Sequence, residues 1–355
     1  MSTGVAQPVD RTVRTVRAAV AGADVASPPA LAARVLEVLV PAVGADGGAL
    51  VLMDPHTGLF WTGAVDRLPA RSCHPFFATE LDTEGPRTFR RLARDGAVAS
   101  AFSLRGCQGD AFHTAVLAPF GYRDEVRVVA RDAGVSWGGL SLWRRCEAEP
   151  FTEEQERILD AVAPVVGAAL RDAVLRSLVN QQARQVAHGA LVIEDGVVVE
   201  ASPEARRLLR EIDEPATEEY RSLDQMLALS RRESRFSVVL GTVDGRWVAA
   251  HGTALSDART VVLLTAPSPT DLLGALVASA GLTSREVEVT RLLCRGLTDT
   301  EIARELTISA HTAHDHVRAV RAKLGVRSRT EVAARVFADH YLDQFLASAR
   351  VVHDR

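Results

Sequence analysis

Apolar positions along the chain fall into three stretches with different periods. In the first, Ser27-Pro28-Pro29 reads as a helix start with proline in the first turn, and Leu31, Val35, Val38 and Leu39 follow at helical spacing. Short apolar runs broken by turn signals come next: Ala49 to Met53, the turn Asp54-Pro55-His56-Thr57-Gly58, then Leu59 to Val65. Thr114 to Ala118, Glu125 to Ala130 and Val135 to Trp143 read as strands, the last two joined through Asp132-Ala133-Gly134. Thr152-Glu153-Glu154-Gln155 is a capping box. It opens a long helix with Ile158, Leu159, Val162, Val165, Val166, Ala169, Leu170 and Val174 on one face. A kink is expected at Pro164, which has no N–H for the carbonyl of Asp160.

The second stretch changes period. Gly189 to Glu194 and Val197 to Ala201 form a hairpin around Asp195-Gly196. Ser202-Pro203-Glu204 starts a short helix through Leu209. Phe236 to Val243, Arg246 to Leu255 and Arg259 to Thr265 read as three more strands, and Pro267-Ser268-Pro269 as a linker.

The third stretch is helical and densely capped. Thr283-Ser284-Arg285-Glu286, Thr298-Asp299-Thr300-Glu301 and Ser328-Arg329-Thr330-Glu331 are capping boxes, Ser309 is a further N-cap, and Gly296 and Gly325 sit at helix ends. Four helices are predicted, at 284–295, 299–306, 310–324 and 329–343. Only Thr307-Ile308 separates the second from the cap of the third, which is a helix-turn-helix junction. Ala313, Val317, Val320 and Leu324 make the buried stripe of the third helix. His311, His314, Asp315, Arg318 and Arg321 then point outward as a donor-rich face suited to the major groove. Ser309 and the open N–H groups beside it suit a phosphate.

Composition narrows the chemistry. The 355 residues allow two or three domains, and 47% hydrophobic with 24% charged residues is the balance of a soluble globular protein. The chain has 41 basic residues but one lysine, Lys323, and it is followed by Leu324. A P-loop, a pyridoxal Schiff base and a protein-kinase strand lysine are therefore excluded. No HExxH run is present, and no catalytic residues and no enzyme activity are expected. Cys73, Cys107, Cys146 and Cys294 form no CxxC pair, which argues against disulfides and structural zinc. The longest uncharged stretch, Leu272 to Ser284, is too short to span a bilayer, and no signal-peptide core is seen, so a cytoplasmic protein is expected. Residues 1–281 carry net charge −6 and residues 282–355 net +2, a mild asymmetry compatible with a nucleic-acid partner at the C-terminal end.

Three resemblances follow from these residues. Residues 28–176, with Trp137-Gly138-Gly139-Leu140-Ser141-Leu142-Trp143 running into Pro150-Phe151-Thr152, resemble a GAF domain. Residues 185–266 are similar to a PAS domain, with Ser202 where asparagine is usual. Leu282-Thr283, Arg285-Glu286, Gly296-Leu297-Thr298, Glu301-Ile302-Ala303, Ile308-Ser309, Thr312, His316-Val317, Lys323-Leu324-Gly325-Val326 and Ser328-Arg329 resemble the DNA-binding domain of LuxR-type transcriptional regulators, over 280–343. The resemblance implies a four-helix unit whose third helix reads bases and whose fourth often pairs two subunits. It puts the base-facing positions on His314, Asp315 and Arg318. This chain departs at His314, where lysine is common, at Thr300, commonly lysine or arginine, and at Ala313, commonly valine.

The expectation is thus a multidomain protein, with two α+β blocks and an all-α helix-turn-helix unit. It would act as a one-component bacterial transcription regulator that binds double-stranded operator DNA as a homodimer. The DNA-facing set is Ser309, His311, Thr312, His314, Asp315, Arg318, Arg321 and Lys323. A small-molecule effector of the GAF-like block is left open; no cofactor or metal is expected, and no membrane partner. His311 and His314 share a face, but His316 points ~200° from His314, so no metal site is read there. Cys73-His74 is read as a packed pair, Cys294 as core, and Trp61, Trp137 and Trp143 as core before pocket. The competing readings are a sigma-factor-like initiation protein, which needs a helical domain upstream, and a sensor without DNA output.

Overall fold

A computed structural model describes residues 3–21, 27–55, 57–81, 88–94, 102–103, 112–181, 188–212, 222–268, 271–272 and 281–333. Contacts divide the chain into two compact units, Met1–Ala266 and Pro267–Arg355. Among the described residues no helix is long and apolar enough to cross a membrane.

The first unit holds two antiparallel five-stranded sheets with one and the same strand order: second, first, fifth, fourth, third. Sheet one consists of β1 (Gly47–Met53), β2 (Phe60–Asp66), β3 (Phe102–Ser103), β4 (Tyr122–Asp132) and β5 (Val135–Arg145). Helices α1 (Thr3–Ala21), α2 (Pro28–Val43) and α5 (Glu153–Gln181) pack together beside it. Helices α3 (Cys73–Glu80) and α4 (Phe89–Arg94) follow β2 in the chain. The Gly138-Gly139 pair explains how helices fit both faces. A Cβ on Gly138 would meet Leu170 of α5 at 2.6 Å, and one on Gly139 would meet Phe89 of α4 at 2.5 Å. Successive strand residues face opposite sides, so two consecutive glycines let a helix approach each face closely.

Most predicted elements of this block are observed with small shifts at their ends. The exception is Thr114 to Ala118, expected as a strand. It is a helical turn, His113–Leu117 running into Ala118–Phe120. Val116 and Leu117 are both buried at about 1% exposure, and neighbouring burial does not fit the alternation of a strand. Helix α5 runs unbroken past Pro164, whose ring sits on the solvent side. Its start is the expected reciprocal box, with Gln155 accepting from the Thr152 amide at 2.8 Å.

Sheet two comprises β6 (Gly189–Glu194), β7 (Val197–Ala201), β8 (Arg235–Gly241), β9 (Trp247–Ala254) and β10 (Arg259–Thr265), with α6 (Pro203–Ile212) and α7 (Ser222–Ser230). Asp195 and Gly196 both have positive φ, 50° and 75°, as a two-residue hairpin turn demands. Its inner face is apolar. Leu191, Ile193, Val238, Leu240, Val248, Val262 and Leu264 pack with Leu208 and Met226, and this cluster continues into Val51, Met53, Phe60, Phe77 and Phe89 of the first block.

Further contacts join the blocks. Gln225 of α7 accepts from the Phe60 amide at 2.8 Å and donates to the Phe60 carbonyl at 2.6 Å, all of it buried. The amide side chain thereby stands in for a strand along the outer edge of β2. Trp61 and Trp247 meet edge to face at 5.5 Å, and the Trp247 indole donates to Ser177 of α5 at 3.0 Å.

The second unit contains α8 (Ser284–Cys294), α9 (Asp299–Glu305) and α10 (Ala310–Lys323), and residues 329–333 are again helical. The expected helix over 329–343 lies outside the described residues beyond 333. Leu282, Val289, Leu292, Leu293, Ile302, Ala303, Ala313, Val317, Val320 and Val332 form its core, with Leu324 packed on the rim.

Candidate nucleic-acid interface

Each helix of the second unit begins on a side-chain cap that fixes its direction. Thr283 and Thr298 carry complete capping boxes with Glu286 and Glu301, and Ser309 accepts from the Thr312 amide at 3.0 Å. The helix ends close by the same 6→1 pattern: Leu297 donates to Leu292 at 3.1 Å, Ile308 to Ala303 at 2.9 Å and Val326 to Arg321 at 3.0 Å. Gly296 and Gly325 take the left-handed position at φ 83° and 67°. Between α9 and α10 that position is Thr307, at φ 54°, where a β-branched side chain is strained.

This frame buries Ala313, Val317 and Val320 and turns the opposite side of α10 to solvent. The side chains of His311, His314 and Arg318 are 88%, 62% and 74% exposed, and Ser309 and Thr312 are exposed at the helix start. Asp315 lies between two of them, 3.0 Å from the Arg318 guanidinium and 3.6 Å from His311 Nε2. The Ser309 and Thr312 hydroxyls are 2.7 Å apart.

Two residues of the expected set have partners within the protein. Arg321 is half-buried, and its guanidinium donates to the Arg327 carbonyl in the loop after α10. Lys323 Nζ lies 2.6 Å from Glu286 Oε2, so the chain's one lysine ties the end of α10 to the start of α8. Burial works against the Glu286 charge, but Lys323 and the Thr283 amide and hydroxyl overcome it and hold that carboxyl below its ordinary value.

Asp299, in the first turn of α9, is a partner that sequence reasoning missed. Its Oδ2 is 2.9 Å from His314 Nδ1, and its Oδ1 accepts from Arg329, which also donates to the Leu297 carbonyl. Burial again opposes the charge, and His314 and Arg329 together keep the Asp299 carboxyl below its ordinary value. An exposed histidine of α10 is thereby anchored to a second helix.

In the first unit the most unusual chemistry is a buried charge cluster. Glu80 of α3, Glu125 and Arg127 of β4 are each about 1% exposed. Arg127 donates to Glu80 at 2.5 Å and to Glu125 at 2.9 Å, and the Ser141 hydroxyl also donates to Glu125. The guanidinium lies 4.0 Å from the centre of the Phe112 ring and 4.9 Å from that of Phe89. Burial raises the Glu80 carboxyl above its ordinary value in spite of Arg127 and the Phe89 amide. For Arg127, burial is outweighed by Glu125 and Glu80, which raise it.

The remaining candidates are structural. Trp61, Trp137 and Trp143 are buried, Cys73 is buried in the shared core, and His74 bonds Arg231 at 3.0 Å. Cys294 is half-buried and burial raises its thiol. Among the described residues no group of three or more His, Cys, Asp or Glu side chains could hold a metal ion.

Comparison with known proteins places the second unit. Residues 280–336 match the family described as bacterial regulatory proteins, luxR family. A GAF domain from a phosphoenolpyruvate-protein phosphotransferase of Coxiella burnetii is 17% identical, covering 49% of this chain and 98% of that one at a TM-score of 0.38. Escherichia coli SdiA is 14% identical, covering 91% and 94% at 0.36. Vibrio cholerae VqmA, solved with ligand and DNA, is 18% identical, covering 48% and 88% at 0.23. No curated protein matches the chain. The structural overlaps are loose, so the assignment rests on the matched segment and its caps, glycines and core: residues 280–336 belong to the luxR family of bacterial regulatory proteins, as a helix-turn-helix DNA-binding domain.

Proposed function

We propose that the chain is a cytoplasmic, one-component transcription regulator that binds double-stranded operator DNA as a homodimer. The reading is carried by the outer face of α10, where Ser309, His311, Thr312, His314, Asp315 and Arg318 surround a helix start and no buried stripe residue intrudes. Ser309, Thr312 and the helix N-terminus would sit on a phosphate, and His314, Asp315 and Arg318 would face base edges. Arg321 and Lys323 would hold the unit together rather than touch DNA. Residues 28–176 and 185–266 would serve as sensor or dimer modules, with a small-molecule effector of unassigned structure. No catalytic step belongs to the reading. The ten strands among the described residues of 47–265 favour it over the sigma-factor-like alternative, which requires a helical domain upstream.

The test is selection of bound sequences from a randomised duplex library with the full chain, followed by Arg318→Ala. In the complex Arg318 exchanges Asp315 for a guanine edge, so its loss should cost about 1–3 kcal/mol and relax selectivity at one position per half-site. Unchanged affinity and selectivity in a folded variant would rule out this face.

A further inference from the structure

His314 differs from the other outward residues of α10 in being held by another helix. Its Nδ1 is 2.9 Å from Asp299 Oδ2, while the ring stays 62% exposed. A carboxylate oxygen only accepts, so the proton of this contact sits on Nδ1. In the neutral imidazole that leaves Nε2 bare, an acceptor without a hydrogen. Asp299 cannot drift from this role, because Arg329 grips its other oxygen and is itself anchored on the Leu297 carbonyl. Metal-binding histidines are oriented and tautomerised by the same kind of carboxylate behind the ring.

We propose that Asp299 is a specificity-determining positioning residue, which fixes the tautomer of His314 and so decides which base edge the helix accepts. The inference rests on the DNA-binding reading above. An acceptor in the major groove pairs with an exocyclic amine, N4 of cytosine or N6 of adenine; guanine and thymine offer only acceptors there. At neutral imidazole His314 therefore selects A or C over G or T on the contacted strand. The charged and titratable groups around the ring are Asp299 on α9, with Arg329 behind it, and His311, Asp315 and Arg318 on α10 itself.

The experiment is the same library selection with the full chain at pH 8, on wild type, Asp299→Ala, Asp299→Asn, His314→Ala, His314→Lys and the Asp299→Ala/His314→Ala pair. At pH 8 the wild type should favour A or C roughly fivefold at one position per half-site, the size of a single hydrogen bond. Asp299→Ala should flatten that position and no other. Asp299→Asn, whose amide oxygen still accepts, should retain the preference. In the His314→Ala background Asp299→Ala should change nothing at that position, because its effect passes through the ring. His314→Lys, which carries only donors, should move the preference toward G or T. A preference that survives Asp299→Ala, or a wild-type preference for G or T, overturns the inference. Should Asp299→Ala fail to fold, His314→Lys decides, and an A or C preference kept by that variant overturns the inference. Wild type that selects no sequence at all refutes the DNA-binding reading instead, so the two failures are distinct.

Discussion

The two sheets of the first unit share a strand order but are filled by opposite means. Beneath α6 and α7 the second sheet presents an aliphatic face, in which Leu191, Val262 and Leu264 meet Leu208 and Met226. In the first block a guanidinium and two carboxylates lie fully inside, layered with phenylalanine rings. An aliphatic interior tolerates repacking at constant volume, whereas a buried ion cluster is stable only in one geometry. Topology therefore leaves the interior chemistry free. The charged interior is a device of position, since Glu80 ties the end of α3 to the start of α4 through the Phe89 amide at 2.8 Å and to β4 through Arg127.

The comparison breaks most sharply at Arg127. Arg127→Met strands two buried carboxylates and should destabilise the first unit by about 3–5 kcal/mol, read as a denaturant midpoint of the full chain. Adding Glu80→Leu and Glu125→Leu should recover most of that loss, because no buried charge is then left unbalanced. A triple variant as unstable as the single one would mean that the cluster stabilises by more than mutual compensation.

Next in size is the seam between the two sheets. Gln225→Ala leaves the Phe60 N–H and C=O buried without their amide partner and should cost about 1–3 kcal/mol. Hydrogen exchange at the Phe60 amide should accelerate relative to Leu50 on the neighbouring strand; equal protection in variant and wild type would show that the edge is closed by other groups.

The second unit lets the same contrast be sharpened at the backbone. Thr307→Gly removes a β-branched residue from the left-handed region and should stabilise that unit by about 1 kcal/mol, less than the full strain because glycine gains freedom in the unfolded chain. The reverse exchange, Gly325→Thr, should cost a similar amount in thermal unfolding.

The smallest effect is one of sign. Glu80 has its folded carboxyl raised by burial, so the unfolded chain releases that proton first and stability falls as pH climbs past about 4.5. Glu286 is lowered, burial being overcome by Lys323 and Thr283, so its contribution is present above about 4.5 and lost as pH falls through the folded value. Stability measured from pH 4 to 7 should show Glu80→Gln gaining on the wild type with rising pH and Glu286→Gln losing. Parallel slopes for the two variants would contradict this assignment.

The sequence was legible where local rules decide. The hairpin Gly189–Glu194 with Val197–Ala201, and the strand Arg259–Thr265, fall on the expected residues because Asp-Gly turns and alternation set them locally. The caps at Thr283, Thr298 and Ser309 likewise announced three helices within a residue or two. Helix α3 was not foreseen; Ser72 before it makes no side-chain cap, and Pro75 sits in its first turn. The charge cluster was hidden for a different reason. Glu125 and Arg127, two apart on one strand, announce a shared face, but Glu80 lies 47 positions from Arg127 and only tertiary packing brings it there. Asp299 and His314 are 15 apart, and the crossing of α9 and α10 makes them neighbours. Arg321 read as an outward cation from periodicity, and Lys323 was counted in the DNA-facing set; neither reading can see the loop carbonyl and the capping glutamate that bind them.

The Gln225 contact also bears on how such a protein can be recombined. Fold resemblance invites cutting the chain between residues 181 and 189 and grafting either sheet onto another regulator. That cut would leave Phe60 with an open strand edge on one fragment, and Trp247 without Ser177 on the other. Chimaeras should therefore exchange residues 1–266 as one cassette, with the joint at Pro267-Ser268, where the chain passes between its two compact units.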